Sequence, residues 1–98
     1  MNAQTVLYRV TCTADDPQAS ARVMGVFAAR SLLPQRFAAV LSRLGTIDIE
    51  IELTLEEGEG TGPSHLARVI ERFPTVARVQ LTIDGVAAAF DVGAEVCP

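Results

Sequence analysis

From Ile47 to Leu55 every odd position is a branched aliphatic and every even one is Asp, Glu or Thr. Side chains alternate across a strand, so this segment predicts a strand with one buried and one wet face. A helix would scatter the five aliphatics around its circumference, and a sheet covered on both faces would be apolar throughout. The pattern therefore predicts a sheet left open on one side.

The same alternation recurs twice. Val6, Tyr8, Val10 and Cys12 alternate with Leu7, Arg9 and Thr11, and the segment from Val76 to Ile83 alternates again. Both predict half-buried strands. Phe37-Ala38-Ala39-Val40-Leu41 predicts a strand with blurred alternation, running to a turn at Gly45. Between the strands the period changes to that of a helix. Asp15-Asp16-Pro17 supplies a carboxylate cap and a proline for the first helical position, ahead of Ala19, Val23, Val26, Phe27 and Arg30 at helical spacing. Pro63-Ser64 opens a second helix carrying Leu66, Val69, Ile70 and Phe73, and Pro74 stops it. Strand, helix, strand, strand, helix, strand is the split βαβ order of the α+β, ferredoxin-like sandwich. Its antiparallel four-stranded sheet carries both helices on one face. Residues 1–85 make the domain, and the apolar run Val86-Ala87-Ala88-Ala89-Phe90 starts a C-terminal tail or extra edge strand over 86–98.

Within this topology the first and third strands are neighbours. Arg9 and Thr11 are expected near Glu50 and Glu52 on the open face, with Arg78 and Gln80 alongside. The plain reading is a solvated, charge-balanced face; the functional one is a partner surface. Arg36 and Arg43 on one side and Arg78 on the other are the only charges guarding the sheet edges, so a homodimer is expected.

Composition narrows the function. Ninety-eight residues, 49% of them hydrophobic, suffice for one core. A net charge of −4, a sequence pI of about 4.8 and the absence of lysine argue against nucleic acid as a partner. Cys12 and Cys97 lie far apart with no metal-ligand spacing, which argues against a zinc site or disulfide scaffold. Met1-Asn2-Ala3-Gln4 has no leader character and no run reaches membrane-spanning length, so a cytoplasmic protein without membrane association is expected.

No catalytic set emerges. His65, one position off the apolar stripe of the second helix, reads as a surface residue. Glu56, Glu57 and Glu59 match no calcium loop, and their glycine-rich stretch has no lysine for a phosphate cradle. No metal or cofactor is implied. Arg22-Val23-Met24-Gly25-Val26-Phe27 looks like part of the acylphosphatase signature, yet Ala29 stands where that family has its arginine and Arg30 comes one residue late. A small hydrolase of this kind is the enzyme alternative. The metallochaperones of this fold need two cysteines, and Cys12-Thr13-Ala14-Asp15 offers one.

Arg22-Val23 with Phe27 and Arg30, the strand Ile49 to Leu55, and Phe73-Pro74-Thr75-Val76-Ala77-Arg78-Val79 resemble an ACT domain, and most closely the short regulatory subunit of acetohydroxyacid synthase. The resemblance implies a non-catalytic, paired regulatory domain that senses a small amino-acid effector. It implies as partner the large catalytic subunit of that enzyme of branched-chain amino acid biosynthesis, or else a scaffold role without ligand. By position the effector loop is Ala14, Asp15, Asp16, Pro17, Gln18 and Ala19, with Gln18 where many ligand-binding members have glycine. Physically, a helix N-terminus attracts a carboxylate, while Asp15 and Asp16 could receive an ammonium group.

Overall fold

A computed structural model of the chain describes residues 3–13, 16–42, 45–56 and 62–92. The elements follow as β1 (Ala3–Thr13), α1 (Ala19–Ala28), β2 (Arg36–Leu41), β3 (Thr46–Glu56), α2 (Pro63–Glu71), β4 (Val76–Ile83) and β5 (Val86–Val92). They build one antiparallel sheet of order β2-β3-β1-β4-β5, whose first four strands have the ferredoxin-like arrangement.

The alternation of the sequence becomes the two faces of this sheet. Val6, Tyr8, Val10 and Cys12 of β1, Ile49, Ile51, Leu53 and Leu55 of β3, and Val79 and Leu81 of β4 are buried. They pack with Val23 and Phe27 of α1 and with Leu66 and Ile70 of α2 in one core. Each such aliphatic contributes roughly 1.5–3 kcal/mol relative to an exposed position, so this layer, rather than any surface charge, holds the sheet to the helices. Tyr8 anchors its centre. Its ring meets Phe27 edge-on at 5.5 Å, and its hydroxyl donates to the carbonyl oxygen of Pro63 at 2.8 Å, joining β1 to the first turn of α2.

Two local expectations change. The helix α1 begins at Ala19 after Gln18, so Pro17 precedes it rather than filling its first position. Asp16 caps a turn instead: its Oδ1 accepts from the Gln18 amide at 3.1 Å and its backbone oxygen accepts from the Ala19 amide. Both helices also end earlier, at Ala28 and Glu71, leaving Arg30 and Phe73 beyond them. Past α1 the chain reverses through Ser31 at φ 58°, with the Leu32 amide donating to the Phe27 carbonyl at 2.9 Å. This bond spans the left-handed reversal that commonly ends a helix at glycine.

At the C-terminal side the extra edge strand is present. Asp84 and Gly85 both have positive φ, 51° and 81°, and make the two-residue turn that joins β4 to β5. Asp84 also ties down the start of β1, its Oδ1 accepting from the Thr5 amide at 2.9 Å and its own amide donating to the Thr5 carbonyl at 2.7 Å. The run from Val86 is therefore a fifth strand of the same sheet, with a register break between Gln80 and Thr82. β5 thus pairs with β4 from Val79 to Ile83.

Candidate functional site

The face of the sheet away from the helices is where the charged residues converge. Register places Arg9 opposite both Glu50 and Gln80, and Thr11 opposite both Asp48 and Arg78. On the far side Arg36 lies opposite Glu52 and Ala38 opposite Glu50. Glu50 sits between two cations: its Oε2 is 3.3 Å from Arg9 Nε, and its Oε1 accepts from Arg36 Nη2 at 2.9 Å. One carboxylate thus links β2, β3 and β1 on the wet surface. Each exposed pair is worth at most about 1 kcal/mol, so the network orders side chains more than it stabilises the fold. The expected neighbourhood of Arg9, Thr11, Glu50 and Gln80 is present, and Arg36 joins it because β2 lies beside β3.

Beside the ion pairs is a shallow depression of about 240 Å³, lined by Arg9, Thr11, Asp48, Glu50 and Gln80 and floored by Val10 and Ile49. Small Thr11 leaves the gap between longer neighbours. A polar ligand or a side chain of a partner could enter it, with Arg9 for an anion and Asp48 for a cation.

The loop proposed for an effector has different chemistry. Ala14 and Asp15 lie outside the described residues, as do residues 57–61, Arg43 and Cys97. Asp16 is buried, and besides the Gln18 amide it accepts from the Thr75 hydroxyl on Oδ2 at 3.0 Å, with Arg22 Nη1 3.7 Å away. Thr75 in turn accepts from the Thr13 amide through its carbonyl oxygen at 2.9 Å. Asp16 thereby fastens the end of β1 to the turn before β4, as a buried carboxylate must find donors. Pro17 and Gln18 are exposed and Ala19 is buried.

The remaining candidates take structural positions. Arg30 donates through Nη1 to the Val26 carbonyl oxygen at 2.9 Å, capping the end of α1. His65 is exposed on α2. Cys12 is a buried free thiol whose pKa is raised by burial first and by Asp16 and Asp48 next, which suppresses the reactive thiolate. Among the described residues no group of three or more His, Cys, Asp or Glu could hold a metal ion. No helix of the described chain is long and apolar enough to cross a membrane.

No family model and no curated protein matches this chain. Among solved structures it is similar to the C-terminal domain of the MgtC protein from Mycobacterium tuberculosis, with 19% identity and a TM-score of 0.64 over 89% of this chain and 94% of that one. Identity this low speaks for the fold alone. It also corrects the resemblance drawn from sequence: the neighbour found is an MgtC domain, not the regulatory subunit of acetohydroxyacid synthase, and that assignment is withdrawn. The motifs behind it were spacings of apolar residues around β3, α1 and β4, which any sheet of this topology requires.

Proposed function

We propose that this chain is a non-catalytic regulatory domain of ACT-like architecture that acts by contact, through the uncovered face of its sheet. The observation that carries this reading is the Arg36–Glu50–Arg9 network beside a shallow depression. Charges fixed in register on a flat surface favour recognition of a complementary protein face, where they set orientation and association rate more than affinity. The buried Cys12 and Asp16 are spent on structure and leave the chemistry to a partner.

The test is charge reversal. A Glu50→Lys, Glu52→Lys chain changes only wet positions and should keep its far-UV circular dichroism. A protein captured by the immobilised wild type from its native cells should be lost from the variant, and equal recovery would exclude the open face. The hydrolase alternative has its own check: purified chain should not turn over an acylphosphate, and turnover abolished by Arg30→Ala would overturn the proposal.

A narrower form, in which the loop 14–19 takes a small amino-acid effector, is supported by the exposed Gln18 at the start of α1, where no side chain caps the helix. Calorimetric titration with the common amino acids decides it. Since Asp16 is a structural clamp, binding should survive Gln18→Ala less well than the fold does. An absence of heat leaves the contact role alone.

A further inference from the structure

The helix layer differs in charge from the rest of the chain. Acids outnumber arginines 12 to 8 overall, yet Glu71 is the only acid in α1 or α2. Arg22 and Arg68 lie on these helices, and Arg30 and Arg72 come just past their ends. Neither helix has an acid in its first turn or a side chain capping its start. Glutamate is among the better helix formers, and acids favour a helix N-terminus. An acid-rich chain that leaves them out forgoes that stabilisation.

The basic residues of α2 are also ordered. His65, Arg68 and Arg72 are exposed at spacings of three and four residues. At 3.6 residues per turn they fall within roughly 60° of arc, opposite the buried Leu66, Ala67 and Ile70. Arg72 keeps the helical conformation at the C-cap, so the stripe runs from the first turn of α2 to its end. Arg68 also interacts within the chain. Arg22 faces Asp16, and Arg30 holds the Val26 carbonyl, so both are tied to α1. Beside the stripe, the exposed Ala21, Gly25, Ala28 and Ala29 along α1 carry nothing longer than a methyl group. A Cβ at Gly25 would meet nothing within 4 Å, so packing within the chain does not demand glycine there, although glycine weakens a helix. This bare surface leaves room for another helix.

We infer that the stripe of His65, Arg68 and Arg72 docks an acidic helix of a partner protein. Carboxylates three and four residues apart on a facing helix repeat every 4.5 and 6.0 Å or about that, the same rises that separate His65 from Arg68 and Arg68 from Arg72. An extended segment repeats about every 6.8 Å on one face and falls out of step. Arginine offers a carboxylate two parallel N–H donors, and the His65 ring adds another. A nucleic acid would meet the same arginines, but the stripe is short and a chain of net charge −4 repels a long polyanion. The open face lies on the other side of the sheet. This contact is therefore separate from the role proposed for that face, and either can fail without the other.

The probe is a fluorescein-labelled peptide of three Glu-Ala-Ala-Glu-Ala-Ala-Ala repeats, whose carboxylates share one helical face. By fluorescence anisotropy it should bind at roughly 0.1 M salt, where a Debye length of about 10 Å lets the stripe act while screening the acids beyond it. It should be released near 1 M, where that length is about 3 Å. His65→Glu, Arg72→Glu should weaken binding about tenfold or more, with unchanged circular dichroism. His65→Glu alone puts an acid in the first turn of α2, so it should raise the denaturant midpoint while weakening binding, a divergence that a purely structural role would not give. If the double variant fails to fold, His65→Gln, Arg72→Gln decides in its place. An unbound peptide at 0.1 M or so, equal binding by the variants, or equal binding of a same-composition peptide with glutamates spread around the helix would overturn the inference. Tighter binding of an oligothymidylate, lost in the same variant, would overturn it in favour of nucleic acid.

Discussion

Tyr8 joins the middle of the sheet to the start of α2 through a single hydroxyl, and this can be tested with the least disturbance. Tyr8→Phe keeps the ring against Phe27 and removes only the donor to Pro63. Its expected cost is about 1 kcal/mol, the net value of one hydrogen bond, read as a lower denaturant midpoint at unchanged slope. The Tyr8 and Cys12 side chains are also expected to weaken the fold in alkali. Burial raises both pKa values above their ordinary 10.0 and 9.0. A raised folded value means the unfolded chain releases its proton first, so the stability contributed below pH 9 falls as pH rises past it. Cys12→Ala should flatten the first part of that decline, and an unchanged alkaline slope would show that Cys12 does not govern it. Both residues were legible in the sequence as buried positions of an alternating strand. Their partners were not, since Pro63 lies 55 positions from Tyr8 and no local pattern encodes that contact.

The helices and strands were legible wherever period alone decided them, and their ends were not. Asp15-Asp16-Pro17 has the composition of a helix start, but burial of Asp16 against Thr75 won, and α1 begins later. Arg30 falls on the helical stripe of α1 yet lies past its end. The fifth strand did leave a signal, because Asp84-Gly85 between apolar runs is a strong mark of a tight hairpin. Two substitutions of opposite sign probe these turns. Gly85→Ala puts a Cβ on a residue at φ 81° and should destabilise by about 1–2 kcal/mol. Ser31→Gly relieves the same strain at φ 58° and should stabilise by a few tenths to about 1 kcal/mol, offset partly by glycine's freedom in the unfolded chain. Thermal melts of the two variants should move apart. Movement of both in one direction would contradict the left-handed assignment at one of them.

Across the chain, the strand order and the division into a buried and a wet face follow from alternation, because a sheet layered under two helices has only one dry side. The surface network needed the register as well: β3 beside β2 brings Arg36 to Glu50, which spacing along the chain does not reveal. Cys12 gives a way to watch the whole fold open. It lies buried on β1, between β3 and β4, so a thiol reagent should reach it only when the sheet separates. In a Cys97→Ser background, labelling of the native chain should be slower than that of the denatured chain by orders of magnitude, and it should follow global stability. A change of 1 kcal/mol is about a fivefold change in the open fraction. Tyr8→Phe should therefore speed labelling about fivefold, and Ser31→Gly should slow it. Labelling that ignores both variants would mean that the edge near Cys12, beside the register shift between Thr11 and Cys12, opens locally without unfolding. Rates that track both would place the cooperative unit of this protein in the layer shared by β1, α1 and α2.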